Sequence, residues 1–364
     1  MSRRYWLDKK IRSAVMRICA WVTPRSKGRR VDLRRQEIKK ILLVRSIFRM
    51  GDSILATPAI LLLRNNFPAA QIDFVGPRVS AILFRHLPID NHHEVYQSFP
   101  RVCWSYVSLL KQIRSARYDL AIDVSGSNAA LGAFIVGFSG ARFRAGLRGK
   151  YDRWFNLRFS RPAQKNKYRN LPELIGSMGL ETRKVFPTLV LSAEEKECGT
   201  RRIDAVAGPR RDSVVGIFVG GRRTRGKRWP GENFLELAAR LRAAGVKVVL
   251  FAGPEEVEVA EYLRQAPSFR VPVVSEPDVR NFASMVSNCD LFVACDSGPV
   301  HLACALRVRT VAIFLKNDFD RWGPPASLAR IVYRETGVLP ADVLQACRLE
   351  LADLSAWNAR QMAS

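Results

Sequence analysis

Two kinds of apolar pattern alternate along the chain from residue 38 to residue 314. Short apolar runs at Ile41–Val44, Gln71–Val75 and Asp119–Asp123 have the length and branching of strands buried in a sheet. Between them, residues 58–66, 103–116 and 128–138 place apolar positions at helical spacing, and Val95-Tyr96 reads as a further short strand. The same alternation resumes later in the chain. Val214–Val219, Val246–Phe251, Asp290–Cys295 and Thr310–Phe314 read as strands, with helices over 232–244, 255–265, 280–288 and from Pro299 to Leu306. Such alternation predicts an α/β protein with two Rossmann-like domains, each a parallel sheet covered by helices, and a cleft between them.

The remaining stretches set the boundaries. Leu7, Ile11, Val15, Ile18 and Val22 recur every three or four residues between six basic residues, a basic amphipathic helix over 3–22 with Trp6 and Trp21 suited to a headgroup layer. Packing of that helix on the main body is the competing expectation. Arg17 interrupts the apolar core that a secretory signal needs. Residues 140–172 are basic and weakly patterned until a helix near Leu171, and the hinge is expected between 185 and 212. The division is therefore residues 1–37 as an N-terminal extension, 38–200 and 201–340 as the two domains, and 341–364 as a C-terminal helical segment.

Composition changes this picture in one respect. At 364 residues, 48% hydrophobic and 25% charged, the chain has the balance of a water-soluble globular protein, without an eighteen-residue apolar run. Its seven scattered cysteines form neither a disulfide framework nor a CxxC site, which fits a reducing cytoplasm. The formal charge of +26, of which residues 1–40 supply +11 (14 Lys/Arg against 3 Asp/Glu), calls for an anionic partner. Nucleic acid is one class of such partner, but neither an aromatic RNA platform nor a helix-turn-helix pattern is present.

Candidate chemistry falls at the ends of strands. Asp296-Ser297-Gly298-Pro299 joins an apolar run to a helix, so Asp and Ser oxygens can cap the helix while its N–H groups hold an anion. Gly51-Asp52 occupies the same kind of turn in the first half, where a carboxylate serves either as a cap or as a general base. Gly220-Gly221-Arg-Arg-Thr-Arg-Gly226-Lys227-Arg228 is a glycine-rich basic loop suited to phosphates, yet Arg228 stands where a Walker A loop needs Ser or Thr. Glu255 and Glu256 follow the next strand, where a carboxylate takes ribose hydroxyls or simply favours a helix start. His301 lies one turn into the helix after Gly298, and His86, His92, His93 and His301 show no metal spacing. A nucleotide-dependent oxidoreductase or epimerase would need GxGxxG after its first strand, and Arg45–Gly51 does not supply it.

Taken together, Ile41–Arg45 with Met50-Gly51-Asp52-Ser-Ile-Leu-Ala-Thr-Pro58, Lys227-Arg228-Trp229-Pro230, Asp290–Ala303 and Arg321-Trp-Gly-Pro324 closely resemble the heptosyltransferases of glycosyltransferase family 9. The resemblance runs from about residue 38 to 325. It implies a GT-B fold and metal-free, cofactor-free inverting transfer of heptose from ADP-heptose, or another sugar from a related nucleotide donor, to the inner core of lipopolysaccharide. By motif, Asp52 becomes the catalytic base, Lys227 the diphosphate partner, Glu255 or Glu256 the ribose contact, and Asp296, Ser297, Gly298 and His301 the nucleotide turn, with Gly51, Gly220, Gly221 and Arg228 as supporting loop positions. The implied partners are the nucleotide-sugar donor, a phosphorylated glycolipid acceptor and the anionic cytoplasmic face of the inner membrane, with no nucleic acid. The chain differs from the family's pattern in its first forty residues and at Lys167-Tyr-Arg-Asn170, where relatives often carry a His.

Overall fold

The computed structural model describes residues 23, 25–29, 31–96, 101–126, 129–209, 212–221, 226–265 and 271–362, with side chains omitted at 101–105 and 353–362. The amphipathic stretch expected over 3–22 lies outside these residues. The chain divides into two compact units: residues up to Lys165 with Arg169–Phe186, and Asn166–Tyr168 with Pro187 onward.

The first unit is built on β1 (Lys40–Val44), α1 (Met50–Ile54), α2 (Thr57–Asn66), β2 (Gln71–Gly76), α3 (Arg78–Leu83), β3 (Asn91–Glu94), α4 (Arg101–Ala116), β4 (Leu120–Asp123), α5 (Ala130–Phe138), β5 (Phe143–Leu147) and β6 (Leu157–Phe159). Helix α6 (Lys167–Ser177) begins in residues of the second unit and continues in the first. The sheet is parallel throughout, in the order β3-β2-β1-β4-β5-β6. Ile41, Leu42, Leu43 and Val44 are fully enclosed, since β1 has strands on both sides and helices on both faces. Each such side chain contributes roughly 1.5–3 kcal/mol through burial.

The second unit contains α7 (Ala193–Ala207), β7 (Val214–Phe218), α8 (Gly231–Ala243), β8 (Lys247–Ala252), α9 (Val257–Arg264), β9 (Val273–Ser275), α10 (Val279–Val286), β10 (Leu291–Cys295), α11 (Gly298–Ala305), β11 (Arg309–Phe314), α12 (Phe319–Trp322), β12 (Arg330–Tyr333) and α13 (Pro340–Met362). Its sheet, β12-β11-β10-β7-β8-β9, is again parallel and repeats the strand order of the first. Among the described residues no helix is long and apolar enough to cross a membrane.

Three expectations change. The division at residue 200 cuts α7, which belongs to the second unit. A Cβ on Gly199 would lie 2.2 Å from the Ser284 carbonyl oxygen, so α7 and α10 meet backbone to backbone there. The Arg280 guanidinium adds bonds to Glu195 and to the Val190 carbonyl. Nor is the C-terminal helix a separate segment, because Val343, Leu344, Ala346 and Cys347 share one core with Trp229 and Phe234. Finally, the weakly patterned basic stretch contains β5 and β6, and the third strand lies at Asn91–Glu94, ahead of Val95-Tyr96.

Candidate active site

In a parallel sheet of this order the connections leave the first and fourth strands toward opposite faces, and ligand-binding residues gather beyond the carboxyl ends of that pair. In the first unit the pair is β1 and β4. Arg45, just past β1, donates from Nη1 to the Val124 carbonyl at 2.6 Å and from Nη2 to Asp52 Oδ1 at 3.0 Å. Both side chains are enclosed, Arg45 at 7% exposure and Asp52 at 9%. Burial lowers the guanidinium's pKa and the Asp52 charge opposes that shift, while the Arg45 Nε is buried without a hydrogen-bond partner. Asp52 is the third residue of α1, whose N-cap is Arg49 and which has no side-chain cap. Its carboxylate is therefore not a helix cap. Gly51, beside it, is buried.

A second carboxyl group stands close by. Asp123, at the end of β4, accepts from the Ser125 amide at 2.8 Å, and burial pushes its carboxyl up to about 7 against the opposing effects of Ser125 and Arg45. Ser125 Oγ in turn accepts from the Ser46 amide at 2.8 Å, tying the two strand ends together. Gly132 permits this approach, because a Cβ there would lie 2.3 Å from Asp123 Oδ1.

The corresponding pair in the second unit is β7 and β10. Lys227, from the loop after β7, donates to the carboxylate of Asp296, the residue following β10, and to Asp318 Oδ2 at 2.5 Å. Lys227 and Asp296 are 12% and 8% exposed, Asp318 31%, so the ammonium is screened from water mainly by the two acids. Ser297 is the N-cap of α11, but its hydroxyl donates to the Cys295 carbonyl at 2.7 Å and does not cap the helix. The capping expected of Ser297 is thus replaced by a bond back to the strand, while Asp296 takes the lysine salt bridge. Gly298 and Pro299 open the helix, with Pro at a position that needs no N–H.

The glycine loop works by close approach. A Cβ on Gly220 would lie 2.7 Å from the Glu256 carboxyl, and one on Gly221 would lie 2.2 Å from the Lys227 carbonyl oxygen. Glu256 is buried, 3.4 Å from Arg228 Nη2; burial raises its carboxyl pKa, while Arg228 and the amides of Gly253 and Gly221 lower it. Glu255 is exposed. His301, 4% exposed, points its Nδ1 at the Tyr168 hydroxyl, 2.7 Å away.

The sequence profile of glycosyltransferase family 9 (heptosyltransferase) matches residues 106–350. The chain belongs to glycosyltransferase family 9. It is 24% identical to the lipooligosaccharide heptosyltransferase 2 of Campylobacter jejuni over 302 residues, covering 80% of this chain and 86% of that one. The Escherichia coli ADP-heptose LPS heptosyltransferase II structure superposes with a TM-score of 0.72 at 22% identity, over 87% of this chain and 99% of that one. Escherichia coli heptosyltransferase WaaC with ADP gives 0.68 at 19% identity, over 85% of this chain and 99% of that one. The fold of this glycosyltransferase is accordingly GT-B, with two Rossmann-like units in one chain.

Four residues of this glycosyltransferase escaped the motif reading: Arg45 and Asp123 around Asp52, Asp318 on Lys227, and Tyr168 on His301. Arg45 closes the Ile41–Arg45 motif, and only the fold shows that it bonds Asp52. Asp318 and Tyr168 are 91 and 133 residues from their partners, a distance no local pattern spans. Among the described residues, no group of three or more His, Cys, Asp or Glu side chains gathers as a metal site. A surface hollow of about 670 Å³ on the first unit, lined by Pro172, Glu173, Ser177 and Lys184, contains none of the residues above.

Proposed function

We propose that this glycosyltransferase moves a heptose from ADP-heptose to an inner-core sugar of lipopolysaccharide, with inversion at the anomeric carbon. The acceptor hydroxyl oxygen bonds to that carbon as the carbon–oxygen bond to ADP breaks. Asp52 takes the hydroxyl proton, and ADP leaves with the bonding electron pair. Charge grows on the leaving diphosphate, where Lys227 and the amino end of α11 are placed to meet it. No further cofactor takes part.

The observation that carries this reading is the meeting of Lys227 with the Asp296 turn beyond β7 and β10, the position at which sheets of this order bind nucleotides. Family membership supports the choice of donor, as do the ADP-heptose named for Escherichia coli heptosyltransferase II and the ADP held by heptosyltransferase WaaC. Glu256 is committed to Arg228 and the loop amides, so the exposed Glu255 is assigned to the ribose hydroxyls. The acceptor is a phosphorylated glycolipid, and residues 3–22 hold the enzyme on the anionic cytoplasmic face of the inner membrane.

Asp52→Asn tests the assignment of the base. Transfer from ADP-heptose should fall by at least about a hundredfold, the usual contribution of a positioned base, while calorimetry finds ADP affinity unchanged. Turnover near the parent rate would remove Asp52 from the mechanism. Another sugar nucleotide giving faster transfer than ADP-heptose would replace the donor assignment and leave that of the base standing.

A further inference from the structure

Residues 166–168 lie in the first half of the sequence yet belong to the second unit. Each has a contact there. Asn166 donates from Nδ2 to the Gly323 carbonyl at 2.9 Å and accepts from the Tyr168 amide at 2.9 Å, fixing the first turn of α6. Lys167 places Nζ 5.7 Å from the centroid of the Trp322 ring. Tyr168, 3% exposed, brings its hydroxyl to His301 Nδ1 at 2.7 Å, with the two rings 5.4 Å apart.

We infer that Tyr168 is a positioning residue for His301, selecting the imidazole tautomer and ring orientation that the donor site uses. This rests on the reading that His301 belongs to the donor site. The phenol retains its proton at neutral pH, because burial and the neighbouring Cys304 and Asp296 hold its pKa well above the ordinary value. Cys304 is three residues from His301 on α11, so both side chains face Tyr168 from one side of the helix. In the inferred arrangement the phenol donates O–H to Nδ1, and the ring proton resides on Nε2. Any hydrogen bond from the imidazole to the donor is consequently made by Nε2–H to an oxygen of that ligand. The crossing segment thereby ties the start of α6 to the donor turn through three successive residues.

The test combines ¹⁵N spectroscopy of labelled histidines with steady-state kinetics on the full chain. His301→Ala assigns the His301 signals, and at neutral pH the parent should show Nδ1 as acceptor and Nε2 as the protonated nitrogen. Tyr168→Phe, which keeps the ring, should mix the tautomers and raise the KM for ADP-heptose about three- to tenfold, as for loss of one hydrogen bond, with kcat within twofold. The inference is overturned if the parent carries the proton on Nδ1, or if Tyr168→Phe alters neither tautomer nor KM. The parent spectrum decides even where the variant folds poorly. If His301→Ala raises KM and Tyr168→Phe does not, the positioning role fails alone. If His301→Ala leaves KM unchanged, the donor-site reading fails with it.

Discussion

The two sheets share one strand order, and the residues beyond their central strand pairs hold charge in opposite ways. In the first unit the cation is an arginine bonded to a main-chain carbonyl as well as to Asp52, and both partners are enclosed. In the second it is a lysine bonded to two carboxylates, one of them 31% exposed. A carbonyl is part of the fold, so Arg45 cannot leave without breaking the sheet's end, whereas Lys227 can exchange one carboxylate for a phosphate without disturbing the backbone. The same topology thus supports a rigid mount for the proposed base in one unit and, for the proposed diphosphate partner, a cation held only by side chains in the other.

Breaking the rigid mount should have the largest effect. Arg45→Met leaves Asp52 buried without its countercharge and the Val124 carbonyl without its donor, a change that typically costs about 3–5 kcal/mol. Denaturant unfolding should register that loss, and a loss below about 1 kcal/mol would mean the mount is not rigid. On the other side, Lys227→Ala should weaken ADP binding by about ten- to a hundredfold and lower transfer, as for loss of a charged hydrogen bond. Calorimetry with ADP is the measurement, and unchanged affinity would end the analogy between the two cations.

The pH response sharpens the comparison further. Asp123 has a folded pKa of about 7, above the ordinary carboxylate value, so the folded state binds its proton more tightly than the unfolded state does. Stability from this group is complete below about pH 4 and is lost as pH rises toward about 7. Asp123→Asn keeps an oxygen for the Ser125 amide and removes that dependence. Its melting temperature relative to the parent should climb between pH 5 and pH 8, and a constant difference would contradict the buried neutral acid. The smallest effect is expected at Asp318→Asn. With one competing carboxylate gone, ADP should bind a few-fold tighter, in the range of a single partly exposed ion pair. Weaker binding would recast Asp318 as a support for Lys227.

The central strands were legible because they are enclosed on every side, and the apolar runs at 41–44, 214–219 and 290–295 correspond to β1, β7 and β10 within a residue or so. Edge strands were not. Asn91–Glu94 is entirely polar, Leu157–Phe159 and Val273–Ser275 are mostly half-exposed, and Arg330–Tyr333 has one buried residue, since each has a neighbour on one side only. Strand β5, Phe143–Leu147, was hidden differently, Arg144 and Gly146 breaking the apolar run.

The sequence by itself determined that two α/β units exist, which strand ends carry acids, glycines and lysine, and which family the motifs resemble, because those are local patterns of burial and turn chemistry. Only the tertiary structure decided how the side chains are used. Asp52 faces Arg45 and not a helix amide, Ser297 bonds back to its strand, Lys227 lies between two carboxylates, and His301 meets a tyrosine from the other half of the chain. Hydrogen bonds between residues far apart in sequence depend on where the packed sheets bring the backbone, and no local pattern encodes that.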